Sequence, residues 1–207
     1  MKNLITLVIG AALLAGCTTS GDGRLSLSQL SIVLKTEYLV SGTTNTYVGC
    51  DSLIGAPVDE ISGQTEVRVD FSSSGYVGSL QVRLRGVTDS SRDNSFVATF
   101  TRDNGLVQNG SSNDYSVFFT ANAVTGNFLP ASKEGGLSAQ AIIVTPKRAK
   151  IKLVNVDPAN RVNTNGAFVA TLIGTSDQGS STGEISSIGN VPVYSGCSYV
   201  STTDTQL

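Results

Sequence analysis

The chain has 207 residues, with 14 lysines and arginines against 16 aspartates and glutamates, which gives a formal net charge of −2. This balance excludes the clustered basic excess that a nucleic-acid-binding protein needs. The chain contains no histidine, which excludes Ser-His-Asp and Cys-His catalysis and any metal site built on imidazole. Carboxylate or lysine chemistry would still be open to it, but no motif indicates either. We therefore expect a non-catalytic protein that has no cofactor.

The first 17 residues have the pattern of an export signal. Lys2 precedes an apolar run over 4–14, and small residues then lead to Cys17. A bilayer-spanning helix needs about 20 apolar residues, so this run is too short to be one. The quartet LAGC at 14–17 resembles the lipobox of bacterial lipoprotein precursors. The resemblance implies that the signal peptide 1–16 is removed and that Cys17 is lipidated; the alternative is an ordinary secretory signal with a chance cysteine.

Lipidation of Cys17 would determine where the protein is localised. Two or three acyl chains make an essentially permanent membrane anchor. In lipoproteins of diderm bacteria, an aspartate after the cysteine favours the inner membrane, and Thr18 at this position favours the outer membrane. Residues 18–24 would form a linker that reaches at most about 23 Å, at about 3.3 Å per residue. We therefore expect a cell-envelope protein that works close to its membrane and binds another envelope protein.

Alternation of apolar and polar residues over 65–85 predicts strands rather than helices. The turn-forming sequence SSSG at 72–75 interrupts the alternation, so we predict two neighbouring antiparallel strands here. The outward faces of the two strands would then carry acids opposite arginines, forming either a solvated sheet face or an acidic and basic binding face. The residues concerned are Glu66, Asp70, Arg83 and Arg85.

The rest of the chain also predicts strands and turns. A change in the phase of the alternation at Gln29 suggests a β-bulge or a strand that switches sheets. Turn-forming residues separate the segments, and no helical period is sustained. We predict an all-β fold, a single antiparallel β-sandwich over 25–207 with Greek-key topology. The further strands are predicted at 95–101, 114–123, 137–145, 149–156, 166–173 and 191–200.

One segment carries a second resemblance. The sequence DYSVFFTANAVTGN at 114–127 is similar to the penultimate strand of bacterial immunoglobulin-like domains, in which a tyrosine begins the strand and a Gly-Asn turn ends it. The resemblance implies an immunoglobulin-like sandwich and says nothing about activity.

Cys50 and Cys197 lie in the matching sequences YVGC and YSGC. Two spare cysteines in an exported protein predict a disulfide, with the two segments on adjacent strands and the glycines allowing close approach. Nearby tyrosines offer two interpretations: buried residues flanking the disulfide, or an aromatic platform for a glycan or small solute. The platform residues would be Tyr47, Tyr194 and Tyr199, with Tyr38 as a further candidate.

Two groups of loops contain enough side-chain oxygen atoms to be considered as calcium-binding sites. The loop 157–166 is rich in Asp and Asn, and further aspartates lie within 89–114. Neither follows a recognised ligand spacing, so we predict no metal site. The leading hypothesis is a lipid-anchored, non-catalytic envelope protein, structural or an accessory subunit; the alternative is a glycan- or small-solute-binding lipoprotein.

Overall fold

The computed structural model describes residues 24–61, 64–87, 96–110, 112–122, 143–144, 149–161 and 166–207. Within these ranges the regular structure is β-strand, apart from three single 3₁₀ turns at Gln29–Ser31, Val58–Glu60 and Pro158–Asn160. The all-β prediction is therefore confirmed. None of the described helical segments has the length and apolar character to cross a bilayer.

The described strands form a five-stranded and a ten-stranded sheet. The smaller sheet has the order β1-β5-β9-β10, and β8 also pairs with β9. Its strands are β1 (Val33–Thr36), β5 (Gln64–Ser72), β8 (Leu106–Gln108), β9 (Asp114–Asn122) and β10 (Ile143–Val144).

The larger sheet includes strands from early, middle and late parts of the chain. Its strands are β2 (Tyr38–Val40), β3 (Tyr47–Cys50), β4 (Leu53–Ile54), β6 (Ser79–Gly86), β7 (Phe96–Thr101), β11 (Lys150–Val156), β12 (Ala167–Thr175), β13 (Ile185–Ser186), β14 (Val191–Tyr194) and β15 (Cys197–Gln206). The order is β4-β15-β11-β2-β3-β14-β12-β6-β7, with β13 also paired to β12.

The sheets differ from a single antiparallel sandwich in two respects. The ten-stranded sheet curls into a half-barrel. It also contains three parallel pairs among its described strands, β11 with β2, β14 with β3, and β15 with β4. The prediction of a purely antiparallel arrangement is therefore wrong. Alternation of residue types identifies the buried face of a strand but does not identify its neighbour or their relative direction.

The predicted hairpin over 65–85 does not form. The strands β5 and β6 exist, but β5 pairs with β1 and β9 while β6 pairs with β7 and β12, in the other sheet. The SSSG segment therefore carries the chain from one sheet to the other. The expected charge pairs are absent for the same reason: Asp70 instead binds Lys35 and Arg68, and Arg83 lies near Glu184.

The change of phase at Gln29 corresponds to the 3₁₀ turn Gln29–Ser31 rather than to a β-bulge. The chain does switch sheets nearby, but at Glu37, the single residue between β1 and β2. The Glu37 N–H donates to Glu66 O in the smaller sheet, and Lys152 N–H donates to Glu37 O from the larger one. Glu37 thus joins the two sheets through its backbone.

Two clusters of buried side chains stabilise the fold. The larger one lies between the sheets, and the alternating apolar residues of β5, β6, β9 and β12 fill it. Phe71 stacks on Tyr115 there, with ring centroids 5.4 Å apart. The smaller cluster lies around the two cysteines and includes Tyr38, Val48, Val154 and Tyr194.

Candidate functional site

Cys50 and Cys197 form a disulfide, with their Cα atoms 5.7 Å apart, so the predicted pairing is confirmed. The parallel pairing of β3 with β14 places Tyr194 opposite Cys50. Both cysteines are buried. A Cβ added to Gly196 would lie 3.0 Å from Ile54 Cδ1 and 3.2 Å from Ser52 Oγ, so this glycine does allow close approach.

The tyrosines near the disulfide differ in their surroundings. Tyr38 and Tyr194 are buried in the smaller cluster and expose little of their rings. Tyr199 is half-buried, and its hydroxyl lies 3.1 Å from Thr202 Oγ1. Tyr47, also half-buried, lines an open groove. Of the platform candidates, Tyr47 therefore lies beside a depression that a ligand could enter.

The loops considered for calcium lie only partly within the described ranges, because 88–95, 111 and 162–165 are outside them. In the remainder, no three or more Cys, Asp or Glu side chains converge as metal ligands would. The Asp157 carboxylate accepts a hydrogen bond from Ala159 N–H at 2.9 Å and so caps a 3₁₀ turn.

The groove that contains Tyr47 has a volume of about 500 Å³. It is lined by four residues of 30–34 and by the segments 45–47 and 188–192. These segments belong to the beginning of β1, the turn between β2 and β3, and the loop leading into β14. The groove thus lies where the edge of the smaller sheet meets the larger one.

The surface of the groove is uncharged and largely apolar. None of the lining residues in the described part of the chain is Asp, Glu, Lys or Arg. Leu30, Val33 and Ile188 are 84%, 45% and 61% exposed. Asn45, Thr46 and Asn190 add amide and hydroxyl groups. Exposed apolar side chains that are grouped beside a depression are typical of a binding surface, whereas isolated ones need no explanation.

A buried group of charges that no sequence pattern indicated lies at the junction of the two sheets. Lys152 Nζ lies 3.0 Å from Glu37 Oε2 and 3.8 Å from Glu60 Oε2. Glu37 Oε1 accepts from Glu66 N–H at 3.1 Å, and Glu66 Oε2 accepts from Ala149 N–H at 2.9 Å. The other oxygen of Glu66, Oε1, is buried, and no described residue forms a hydrogen bond with it.

Burial and neighbouring charges shift two pKa values in this group. Burial raises the pKa of Glu66, and Glu37 raises it further, while the Ala149 N–H and Lys152 oppose the shift. Burial also raises the pKa of the Tyr38 hydroxyl, with a contribution from the negative charge of Glu37. These groups lie under the junction between the sheets, and their contacts indicate a structural role.

The lipobox residues and Cys17 lie outside the described residues, so the predicted anchor stays a prediction. Comparison with protein-family models, with curated proteins and with solved structures finds no match to the chain. The function of the protein is therefore inferred from its own residues and surfaces.

Proposed function

We propose that this protein is a lipid-anchored, non-catalytic component of the cell envelope that binds another envelope protein through the groove beside β1. The uncharged groove, with Leu30, Val33 and Ile188 exposed at it, is the observation that carries the proposal. Burying such side chains at an interface releases about 25 cal/mol for each Å² of apolar surface removed from water. The lipobox resemblance at 14–17 supports the anchor, and Thr18 favours the outer membrane in a diderm bacterium.

We also propose that residues 25–207 form one domain in which the two sheets pack in a sandwich-like arrangement. The larger buried cluster supports this because it draws side chains from both sheets. The immunoglobulin-like character suggested by 114–127 belongs to the same proposal.

The anchor is tested by replacing Cys17 with serine. We expect the wild-type protein to carry acyl chains on Cys17 and to fractionate with membranes, whereas Cys17→Ser retains its signal peptide. Intact-mass measurement of both proteins distinguishes the outcomes. An unmodified Cys17 thiol in the wild-type protein would show that the anchor is wrong.

The docking surface is tested by introducing a charge into the groove. Ile188→Asp should abolish chemical crosslinking to the envelope partner, because a carboxylate buried at an apolar interface has no counter-charge. Val58→Asp is the matched control, since Val58 is 87% exposed and does not line the groove. Crosslinked products from native membranes are compared by quantitative mass spectrometry. Equal crosslinking in the wild-type and Ile188→Asp proteins would contradict the proposed function.

A glycan- or solute-binding function is the second candidate, and Tyr47 is the observation that favours it. Its ring shares the groove with Asn45 and Asn190, the kinds of side chain that bind sugar hydroxyls. Calorimetric titration with envelope glycan fragments, using wild-type protein and Tyr47→Ala, tests this candidate. Binding that is lost in Tyr47→Ala would favour it over protein docking.

A further inference from the structure

The groove lies against the outer edge of β1, and this edge suggests how a partner binds. We infer that the groove accepts a short extended segment of the partner with neutral, apolar side chains, which pairs with the backbone of β1 at Leu34. This inference rests on the proposed function and specifies the chemistry of the partner.

The hydrogen-bond pattern of β1 supports the inference. Among the described strands, β1 pairs only with β5, so it is an edge strand of the smaller sheet. Glu37 N–H donates to Glu66 O, which places position 37 among the residues that bond to β5. Antiparallel ladders alternate, so Val33 and Lys35 also direct their backbone groups toward β5. Leu34 and Thr36 therefore direct theirs to the opposite side.

The two outward-facing positions are not equally open. Thr36 Oγ1 donates to Val48 O at 2.6 Å, so β3 covers the edge at that end. Leu34 lines the groove instead, together with its neighbours Ile32 and Val33. Within the described ranges, the backbone N–H and C=O of Leu34 thus face no paired strand and are available to an added one. The closed end at Thr36 limits that strand to a few residues.

The chemistry of the groove selects the occupant. A charged side chain would lose its hydration there without meeting an opposite charge, because none of the described lining residues is charged. An extended segment gains main-chain hydrogen bonds from a sheet edge, and its alternate side chains fill the adjoining pockets. A second copy of this chain fits less well. Its own β1 would bring the charged Lys35 to the groove, and Lys35 already pairs with Asp70 at 3.0 Å.

The experiment uses the full chain, purified in detergent, and a fluorescent capped peptide of alternating valine and threonine. We expect saturable binding by anisotropy and slower hydrogen exchange over 30–36 in the bound state. Two altered peptides serve as comparisons. Methylation of alternate backbone amides, or replacement of the valines by lysine, should each weaken binding at least tenfold. Equal binding of the methylated peptide, or no binding of the parent peptide, would overturn strand addition.

Two variants test the role of the Leu34 N–H. Leu34→Pro removes the outward N–H, which an edge strand tolerates, while Leu34→Ala removes the side chain and keeps the N–H. Binding to Leu34→Pro should be at least tenfold weaker than to Leu34→Ala, and equal affinities would contradict the inference. If Leu34→Pro does not fold, the methylated peptide on wild-type protein decides the question. The two experiments can also disagree. If Ile188→Asp loses crosslinking to the partner but the wild-type protein does not bind the peptide, strand addition is overturned and the proposed function stands.

Discussion

Lys152 and Glu37 form an ion pair of 3.0 Å in which the two side chains are only 9% and 4% exposed. Two residues earlier on the same strand, Lys150 and Asp204 form a pair of nearly equal length, 3.1 Å, with side chains that are mostly exposed. The geometry of the two pairs is similar, but their burial is opposite. The two pairs on strand β11 therefore show what burial does to an ion pair: Lys152–Glu37 is the buried pair, and Lys150–Asp204 is its exposed control.

Replacing Lys152 with methionine should destabilise the protein by about 3–5 kcal/mol, because it leaves the Glu37 carboxylate buried without its cation. Lys150→Met should change stability little, since water screens exposed ion pairs. Urea unfolding followed by circular dichroism measures both variants. Similar losses in the two variants would contradict the prediction.

The Lys152→Met, Glu37→Gln double variant refines this prediction. Because it removes both charges, it should recover part of the stability that Lys152→Met loses. A double variant less stable than Lys152→Met would show that Glu37 stabilises the junction mainly through its other hydrogen bonds, including the one from Glu66 N–H.

Glu66 should make the protein less stable as pH rises. Burial, assisted by Glu37, raises its pKa in the folded state above the ordinary value of 4.5. The folded state therefore holds its proton more tightly, and the resulting stabilisation is lost as pH rises from about 4.5 through the folded-state pKa. Glu66→Gln should unfold at a higher temperature than wild type at pH 7, with a smaller difference near pH 4. A lower melting temperature at pH 7 would contradict this.

Asp70 should give the opposite pH dependence of stability from Glu66. Burial opposes its ionisation, but hydrogen bonds from Ser116, Arg68 and Lys35 prevail and lower its pKa. The stabilisation by Asp70 is therefore present above its unfolded-state pKa and is lost as pH falls through the folded-state value. Asp70→Asn should be destabilised at pH 7 and approach wild type under acid conditions. Melting curves between pH 3 and pH 8 measure both variants, and a deficit that grows toward low pH would count against the prediction.

Loss of the disulfide should destabilise the protein by the same amount whichever cysteine is replaced. The cysteines are 147 residues apart in sequence. For so long a loop the chain-entropy model gives at most about 5 kcal/mol. Cys50→Ser, Cys197→Ser and the double variant should have similar unfolding midpoints, since each removes the same bond. A double variant much less stable than either single variant would mean that the two thiols contribute independently.

Gly78 should not accept a side chain. A Cβ there would lie 3.1 Å from Asp177 N and 3.3 Å from Asp177 Cα, and would also meet Asp177 Oδ1. Gly78→Ala should therefore shift the backbone and cost about 1–3 kcal/mol. Gly75→Ala is the control, because its Cβ would come no closer than 3.9 Å to Leu25 Cα. Thermal unfolding compares the two, and equal melting temperatures would refute the expected clash.

The strands were more predictable than their arrangement. Val67 and Val69, and likewise Leu80 and Val82, are fully buried, as their alternation predicts. The alternation could not show that the two strands belong to different sheets, because it depends only on which face of a strand is covered. The parallel pairs join segments far apart in sequence, and no local pattern records such pairings.

The buried charges were missed for a related reason. Glu66 alternates with Val67 and shares a face of the strand with the half-buried residues Arg68 and Asp70, yet Glu66 itself is only 7% exposed. Glu37 lies between Thr36 and Tyr38, and all three are buried, because the chain crosses between sheets at this point. Glu37 could have been identified from the sequence as a charged residue inside an uninterrupted run of strand-forming residues.

The order of strands in the larger sheet has a consequence for how the chain folds as it emerges N-terminus first. Strands β14 and β15 come near the end of the chain, but they occupy interior positions, with β14 between β3 and β12 and β15 between β4 and β11. Whether it leaves the ribosome or crosses a membrane as the proposed export requires, such a chain delivers Tyr47–Cys50 long before these partners arrive. During that interval the thiol of Cys50 is open to oxidants and to the wrong cysteine. The half-barrel therefore stays incomplete until its closing strands have emerged.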